Sequence, residues 1–291
     1  MDQAQQLRNV IKKQNQKVVR STARVITVTS GKGGVGKSNL SVNLAIQFRK
    51  MGKRVVIFDA DFGLANVEVM FGAIPKHNLS DLIYRNKEIS EIITEGPMEI
   101  GFISGGSGIL GLNNLTKEQI LYLVKSLENL GTMTDIIIVD TGAGISDSVL
   151  EFVLASLEVL LVTTPDPSSL TDSYSLIKAL YNHPDFAKHT NQIYVVSNRV
   201  SNAEEGKQLF DKLDSVVKQF LEGKIRYLGS VPQDGALEKA VRQQKPVSLS
   251  SPNAKSAEAF EQIANILING TDNVVNTKWG ITKIFNKFLN R

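Results

Sequence analysis

Residues 30–39, SGKGGVGKSN, limit what this chain can fold into more than any other stretch. An apolar run, 24–29 (RVITVT), precedes them, and a helix-like run, 39–51, follows. Strand, glycine-rich loop, Lys-Ser and helix is the setting in which a polypeptide grips phosphate. Without side chains in the way, backbone N–H groups can converge on an anion. The start of a helix adds partial positive charge. The candidate contacts are Gly31, Lys32, Gly33, Gly34, Val35, Gly36, Lys37, Ser38 and Asn39. Lys37 is placed to reach the outer phosphates of a nucleotide, and the Ser38 hydroxyl to ligate magnesium.

The spacing Gly31-x4-Gly36-Lys37-Ser38 is a Walker A pattern, and Lys32 directly after the first glycine satisfies a narrower form of it. Two further strand ends carry acids. The run 54–58 ends in Asp59-Ala60-Asp61-Phe62-Gly63. Strand alternation would point Asp59 and Asp61 the same way, one toward magnesium-bound water and the other toward an attacking water. A helix cap followed by a turn is the structural alternative. Residues 135–140, DIIIVD, read as a buried strand that delivers Asp140 to its end, a Walker B shape. Asp140 would hold the metal through water, and Thr141-Gly142-Ala143-Gly144 is small enough to lie beside a γ-phosphate.

Strand-like runs recur at 99–104, 157–163, 192–197 and 227–231, with helical patterns at 116–130, 168–182, 201–222, 235–243 and 254–268. Seven alternations without a break in composition predict one α/β domain: a doubly wound, mostly parallel sheet of seven or eight strands flanked by helices. The ligand edge of such a sheet lies at the carboxyl ends of its strands. Asn198-Arg199 and Pro232-Gln233-Asp234 therefore join the candidate site. Asn198 offers a donor and an acceptor to an adenine edge, and Asp234 an acceptor, although either residue could instead cap a helix. A second glycine cluster, 105–108, reads as a flexible connection, and 246–255 as a linker.

Composition narrows the class. With 291 residues the chain can bury a full core. It has no cysteine, which removes disulfides, thiolate zinc and cysteine-held iron–sulfur clusters. No run nears the roughly 18 apolar residues of a membrane span, and the first residues lack a signal-peptide core. The expectation is a cytoplasmic protein, soluble or held at the inner face of the cell membrane. The net charge of +4 resides at the ends. Residues 1–24 hold six Lys/Arg and one Asp, and residues 278–291 hold four and no acid, which leaves 23 basic against 28 acidic residues between. Nucleic acid is thus not the expected partner, and any anionic surface should be met by the tails.

The division expected is a leader at 1–23, a domain at 24–268, a linker at 269–277 and a tail at 278–291. The leader is too polar for a core helix and is either frayed or offered to a partner. In the tail Ile281, Ile284, Phe285, Phe288 and Leu289 share one helical face. Lys283 and Lys287 flank it and Trp279 stands at its start. A helix docked on the body or on a partner would show the same spacing. The absence of acid and the polar linker favour a helix lying in an anionic membrane interface.

From KGGVGKS through FDADFGLAN, IIIVDTGAG, Asn198-Arg199 and PQD, the chain resembles the MinD/ParA deviant Walker A ATPases. One departure is Asn39, where many relatives carry threonine. The resemblance implies ATP and Mg²⁺, a homodimer in the ATP state, and catalytic roles for Lys32, Lys37 and Asp61. Lys32 would reach a partner's phosphates, Asp61 would position water, and Ser38, Asp59 and Asp140 would serve the metal. Asn198, Pro232 and Asp234 would line the adenine pocket. The leader DQAQQLR, with Asp2, Gln3, Ala4, Leu7 and Arg8, and the run TTPDPSSLTDSYSLIK resemble the FlhG (YlxH) branch, which sets flagellar number and placement. That implies partners in a signal-recognition-particle-type GTPase (FlhF), stimulated by the leader, and in the flagellar switch (C-ring) proteins. Division-site selection of the MinD type and ParA-like DNA segregation are the alternatives.

Overall fold

The computed structural model describes residues 23–270 apart from 63–65, 107–115, 185 and 187–190. The leader motif (Asp2, Gln3, Ala4, Leu7, Arg8) and the tail positions (Trp279, Ile281, Lys283, Ile284, Phe285, Lys287, Phe288, Leu289) lie outside the described residues.

Eight strands form one sheet: β1 (Arg24–Ser30), β2 (Val55–Ala60), β3 (Thr94–Glu95), β4 (Gly101–Ile103), β5 (Ile136–Ala143), β6 (Glu158–Thr163), β7 (Gln192–Val200) and β8 (Arg226–Pro232). Their order is β3-β4-β2-β5-β1-β6-β7-β8, and every pairing is parallel except β3 with β4. β2 and β6 are buried at every position, as a sheet covered on both faces requires. Ile26, Ile57, Ile138 and Val196 face a core closed by α1 (Lys37–Lys50) and the last described helix. Their neighbours Val25, Phe58, Ile137 and Val139 face the opposite one. The doubly wound expectation therefore holds.

The remaining helices are α2 (Asn66–Phe71), α3 (Leu79–Arg85), α4 (Ile89–Ile92), α5 (Lys117–Met133), α6 (Asp147–Ala155), α7 (Pro167–Asn182), α8 (Ala203–Leu221), α9 (Gly235–Arg242), α10 (Val247–Ser250) and α11 (Lys255–Asn269). The short ones, α2 to α4 and α10, were not foreseen, because four to seven residues carry too little periodicity to read.

Three local expectations need correction. The run 99–104 is one arm of a hairpin, β4, whose other arm β3 is two residues long. Its turn holds Met98 and Glu99 in left-handed conformations (φ 56° and 59°). Arg49 of α1 clamps it through the Met98 carbonyl at 2.8 Å and the Glu99 carboxylate. The 246–255 stretch is not a linker, because Val247 and Ser248 are buried. The reason lies on α1, whose buried Asn43 accepts from Ser248 N at 3.0 Å while Gln47 donates to its hydroxyl at 3.2 Å. Nor is the second glycine cluster loose where it is described. A Cβ on Gly105 would lie 2.8 Å from the Asp59 carbonyl, and one on Gly106 (φ +70°) 2.6 Å from the Asn78 amide. These glycines permit close approach rather than motion.

Candidate functional site

The phosphate loop occupies the carboxyl end of β1, with β5 and β6 on either side. Gly34 (φ +74°) and Gly36 (φ +101°) adopt backbone that other residues rarely take. Gly31 is set by contact instead. A Cβ there would stand 2.2 Å from the Asp172 backbone of α7, which cannot give way. The Ser30 hydroxyl donates to the Lys32 carbonyl at 2.7 Å, and the Ser30 carbonyl accepts from Gly144 N at 2.9 Å. The start of the loop is thereby joined to the segment after β5.

Beneath the loop lies a buried charge cluster. Lys37 opens α1 and is 8% exposed. Burial pulls its ammonium below the usual lysine range, against the opposing fields of Asp140 and Asp61. Asp59 and Asp140 are partners in the β2–β5 register and are both almost wholly buried. Two carboxylates side by side without water are costly. Burial, then the field of Asp140, raises Asp59 well above the usual carboxylate range. Burial pushes Asp140 up to about 6 against the pull of the Ser38 hydroxyl, Lys37 and the Ser41 hydroxyl. Ser41 donates to Asp140 Oδ1 at 3.0 Å, whereas Asp140 Oδ2 has no hydrogen-bond partner.

The structure shows Asp59 in the helix-cap role. Its Oδ2 accepts from Val67 N at the start of α2 (3.2 Å), and its Oδ1 from Asp61 N (3.1 Å). That second bond turns the chain past the end of β2 at Ala60, so Asp61 stands in the turn, where its charge still acts on Lys37, Asp59 and Asp140. Asp61 instead lies across from Gly142, 3.8 Å from a Cβ built there, and accepts from Asn66 Nδ2 at 3.4 Å.

These residues fit a divalent cation. They offer hard oxygen donors, a buried carboxylate oxygen without a donor and an adjacent serine hydroxyl. Among the described residues no group of three or more His, Cys, Asp and Glu forms a metal cage. A cation that keeps several waters and borrows phosphate oxygens, as magnesium does, suits such a site.

Beyond the loop, a cleft of about 360 Å³ runs between the ends of β7 and β8 and helix α9. Gly36, Asn39, Asn198, Arg199, Pro232, Gln233 and Asp234 line it, with Leu237 and Val241 as its apolar part. The volume lies in the range of small-molecule sites. All five late candidates thus meet at one place. Asn198, however, donates through Nδ2 to the Val35 carbonyl at 2.7 Å and accepts from Arg199 N at 2.9 Å. Asp234 caps α9 through Ala236 N at 2.8 Å and accepts from Ser256 N and Oγ of α11 at 3.0 and 2.7 Å. Burial alone would raise its carboxyl, but the Ser256 and Ala236 bonds outweigh burial and hold it below the usual range. Lys32 reaches within its own chain to the Ser168 hydroxyl of α7 at 2.6 Å.

The family model described as NUBPL iron-transfer P-loop NTPase (ParA) matches residues 21–268. The chain belongs to the ParA/MinD family of P-loop NTPases. As a member it is an ATP hydrolase. Antiactivator FleN of Pseudomonas aeruginosa is 39% identical to this ParA/MinD ATPase over 83% of the chain and 85% of FleN. The flagellum site-determining protein YlxH of Helicobacter pylori is 34% identical over 99% of the chain and 98% of YlxH. MinD of Pyrococcus horikoshii, solved with Mg-ADP, superposes with a TM-score of 0.66 at 23% identity, over 85% of this chain and 96% of that one. At that identity the likeness establishes the fold.

Sequence reasoning missed Ser41, Asn66 and Ser168. Ser41 had a signal: it stands one helical turn after Lys37, on the same face. Asn66 and Ser168 lie inside the runs FDADFGLAN and TTPDPSSLTDSYSLIK, but their partners across loops could not be read from those runs.

Proposed function

We propose that this ATPase is a flagellar regulator of the FlhG type, in which ATP and Mg²⁺ pair two copies and pairing controls attachment to the cell membrane. The observation that carries the reading is the level of identity. FleN is 39% and YlxH 34% identical to the chain, YlxH over 99% of its length, whereas Helicobacter pylori MinD is 28% identical over 84%. The FleN and YlxH relationships support a role in flagellar number and placement.

In this reading loop N–H groups and Lys37 hold the phosphates, and Ser38, Asp59 and Asp140 hold the metal. Bound magnesium neutralises charge that builds on the transferring phosphoryl group. Asp61, beside the post-β5 segment, orients the attacking water. Lys32 leaves Ser168 and crosses to the nucleotide of the other copy. The leader (Asp2, Gln3, Ala4, Leu7, Arg8) stimulates an FlhF-type GTPase, C-ring proteins bind elsewhere on the body, and the tail helix inserts its apolar face into anionic lipid. One tail binds weakly, and two on one dimer gain ~10²–10⁴-fold through effective concentration.

Size exclusion of Asp61→Ala with ATP tests the cycle. Blocked hydrolysis should trap a dimer, and a monomer at saturating ATP rules out the proposal. Deleting 278–291 should abolish ATP-dependent liposome binding while leaving nucleotide affinity intact. ParA-like DNA coating predicts salt-sensitive DNA binding. The excess of acid between the tails speaks against it.

A further inference from the structure

We infer that the leader is a second membrane arm, whose cations meet the same anionic lipid surface as the tail of the same copy. The inference rests on the membrane reading of the tail above and deepens it.

The first observation is where the two segments join the body. Ala23 is buried, and Arg24 opens β1. The Arg24 guanidinium donates to both oxygens of Glu158, from Nε at 2.7 Å and from Nη2 at 2.5 Å. Its Nη1 donates to the Leu267 carbonyl, in the last turn of α11, at 2.6 Å. Glu158 is 3% exposed at the start of β6 and gives the guanidinium a fixed post. One side chain thus ties the point where the leader enters the body to the point where the linker leaves it. Both points lie at the amino edge of the sheet. Six residues of strand separate Arg24 from Ser30, so the phosphate loop is about 20 Å away. A surface that covers this corner leaves the nucleotide site open.

The second observation is charge. Residues 1–23 hold Arg8, Lys12, Lys13, Lys17 and Arg20 against Asp2 alone. The body between the tails holds 28 acidic residues against 23 basic. A tail that draws this body onto anionic lipid therefore works against the charge of the body. Cations that start beside the tail offset that repulsion at the point of attachment. The acids that neighbour the exit do not hold the leader back, because Arg24 pairs Glu158 and Arg54 pairs Asp135.

Proximity makes the two segments act together. Once the tail of a copy lies on lipid, the leader of that copy has almost no distance to span, and its weak contacts add to those of the tail. By itself the leader lacks the apolar face of the tail, since Leu7, Val10, Ile11, Val18 and Val19 are scattered among polar residues. It strengthens the attachment without replacing the tail. The cations at 12–20 also stand clear of residues 2–8, so lipid and a protein partner would use different stretches of the leader.

Flotation of the full chain at saturating ATP and Mg²⁺ tests this, with phosphatidylcholine vesicles that contain or lack phosphatidylglycerol. Lys12, Lys13, Lys17 and Arg20 are exchanged together for Gln. This variant should bind the anionic vesicles about tenfold or more weakly, since each cation near such a surface contributes about fivefold. Its binding should also fall less steeply with added salt than that of wild type. On vesicles without phosphatidylglycerol the two proteins should be alike. Exchange of the same four residues for Glu should weaken anionic binding further. ATP affinity and Tm should match wild type in both variants, because the body is untouched.

Affinity of the Gln variant for anionic vesicles within twofold of wild type would overturn the inference and leave the leader to a protein partner alone. An equal loss on both kinds of vesicle would also overturn it, since charge would not be the cause. Wild-type protein that ignored anionic vesicles with ATP present would instead refute the membrane reading of the tail, and so the two failures are distinguishable.

Discussion

The phosphate end and the base end of this site lie on the same sheet edge but are built on opposite terms. Around Lys37, Asp59 and Asp140 the fold gathers buried charge it does not satisfy: carboxylates raised by burial, an ammonium lowered by it, and one carboxylate oxygen with no donor. Around Asn198 and Asp234 the side-chain oxygens and the Asn198 amide nitrogen have partners within the chain. The difference teaches how each end is held. Charge left uncompensated by the fold is completed by ligand and metal, whereas the bonded side chains at the base end tie their strand ends to the loop and to α11.

The largest expected effect belongs to the phosphate end. Lys37→Ala should lower ATP turnover by about 10²–10³-fold, measured as phosphate release at saturating ATP. A variant within threefold of wild type would erase the contrast between the two ends.

Next comes a trade between stability and activity at Asp140. Its carboxyl titrates near 6 in the fold and near 3.8 when unfolded. The folded state therefore binds more protons between those values, and the contribution of this group to stability falls as pH rises from about 4 to 6 and is level above. The penalty above pH 6 is on the order of 3 kcal/mol. Asp140→Asn should raise the Tm of nucleotide-free protein at pH 7.5, keep about half of that advantage at pH 5, lose it below about pH 4, and abolish magnesium-dependent hydrolysis. A lower Tm at pH 7.5 would show the charge to be compensated after all.

Gly36→Ala probes the seam between the ends. The added methyl meets both a positive φ and the Asn198 amide, so the cost should be about 1–3 kcal/mol of stability by denaturant titration. The smallest effect is expected at the rim of the base end. Gln233 is exposed and bonds Glu238 at 2.5 Å, and exposed contacts of this kind contribute little. Gln233→Ala should change ATP affinity less than twofold. A tenfold loss would show that the rim of the cleft grips the nucleotide directly.

Much of this was legible because the signals are local. The glycine spacing, the acid that closes each apolar run and the alternation of strand and helix each lie within ten or so residues, and the sheet follows them. The β3–β4 hairpin and helix α10 were not legible, since the turn of the first is held by Arg49 of α1 and the second by Asn43 and Gln47 of α1. The strand ends put Asn198 and Asp234 on the same sheet edge as the phosphate loop, but their bonds to Val35 and Ser256 span 163 and 22 residues and could not be read.

Sequence alone determined the phosphate loop, the acids that face it and the doubly wound sheet, because backbone conformation and burial periodicity are short-range properties. Tertiary structure decided that Asp59 and Asp140 stand abreast, that Asp140 keeps an oxygen without a donor, and that the late polar residues are already bonded. Those depend on which strands become neighbours and on how much water their packing excludes, and neither is written in any single stretch of chain.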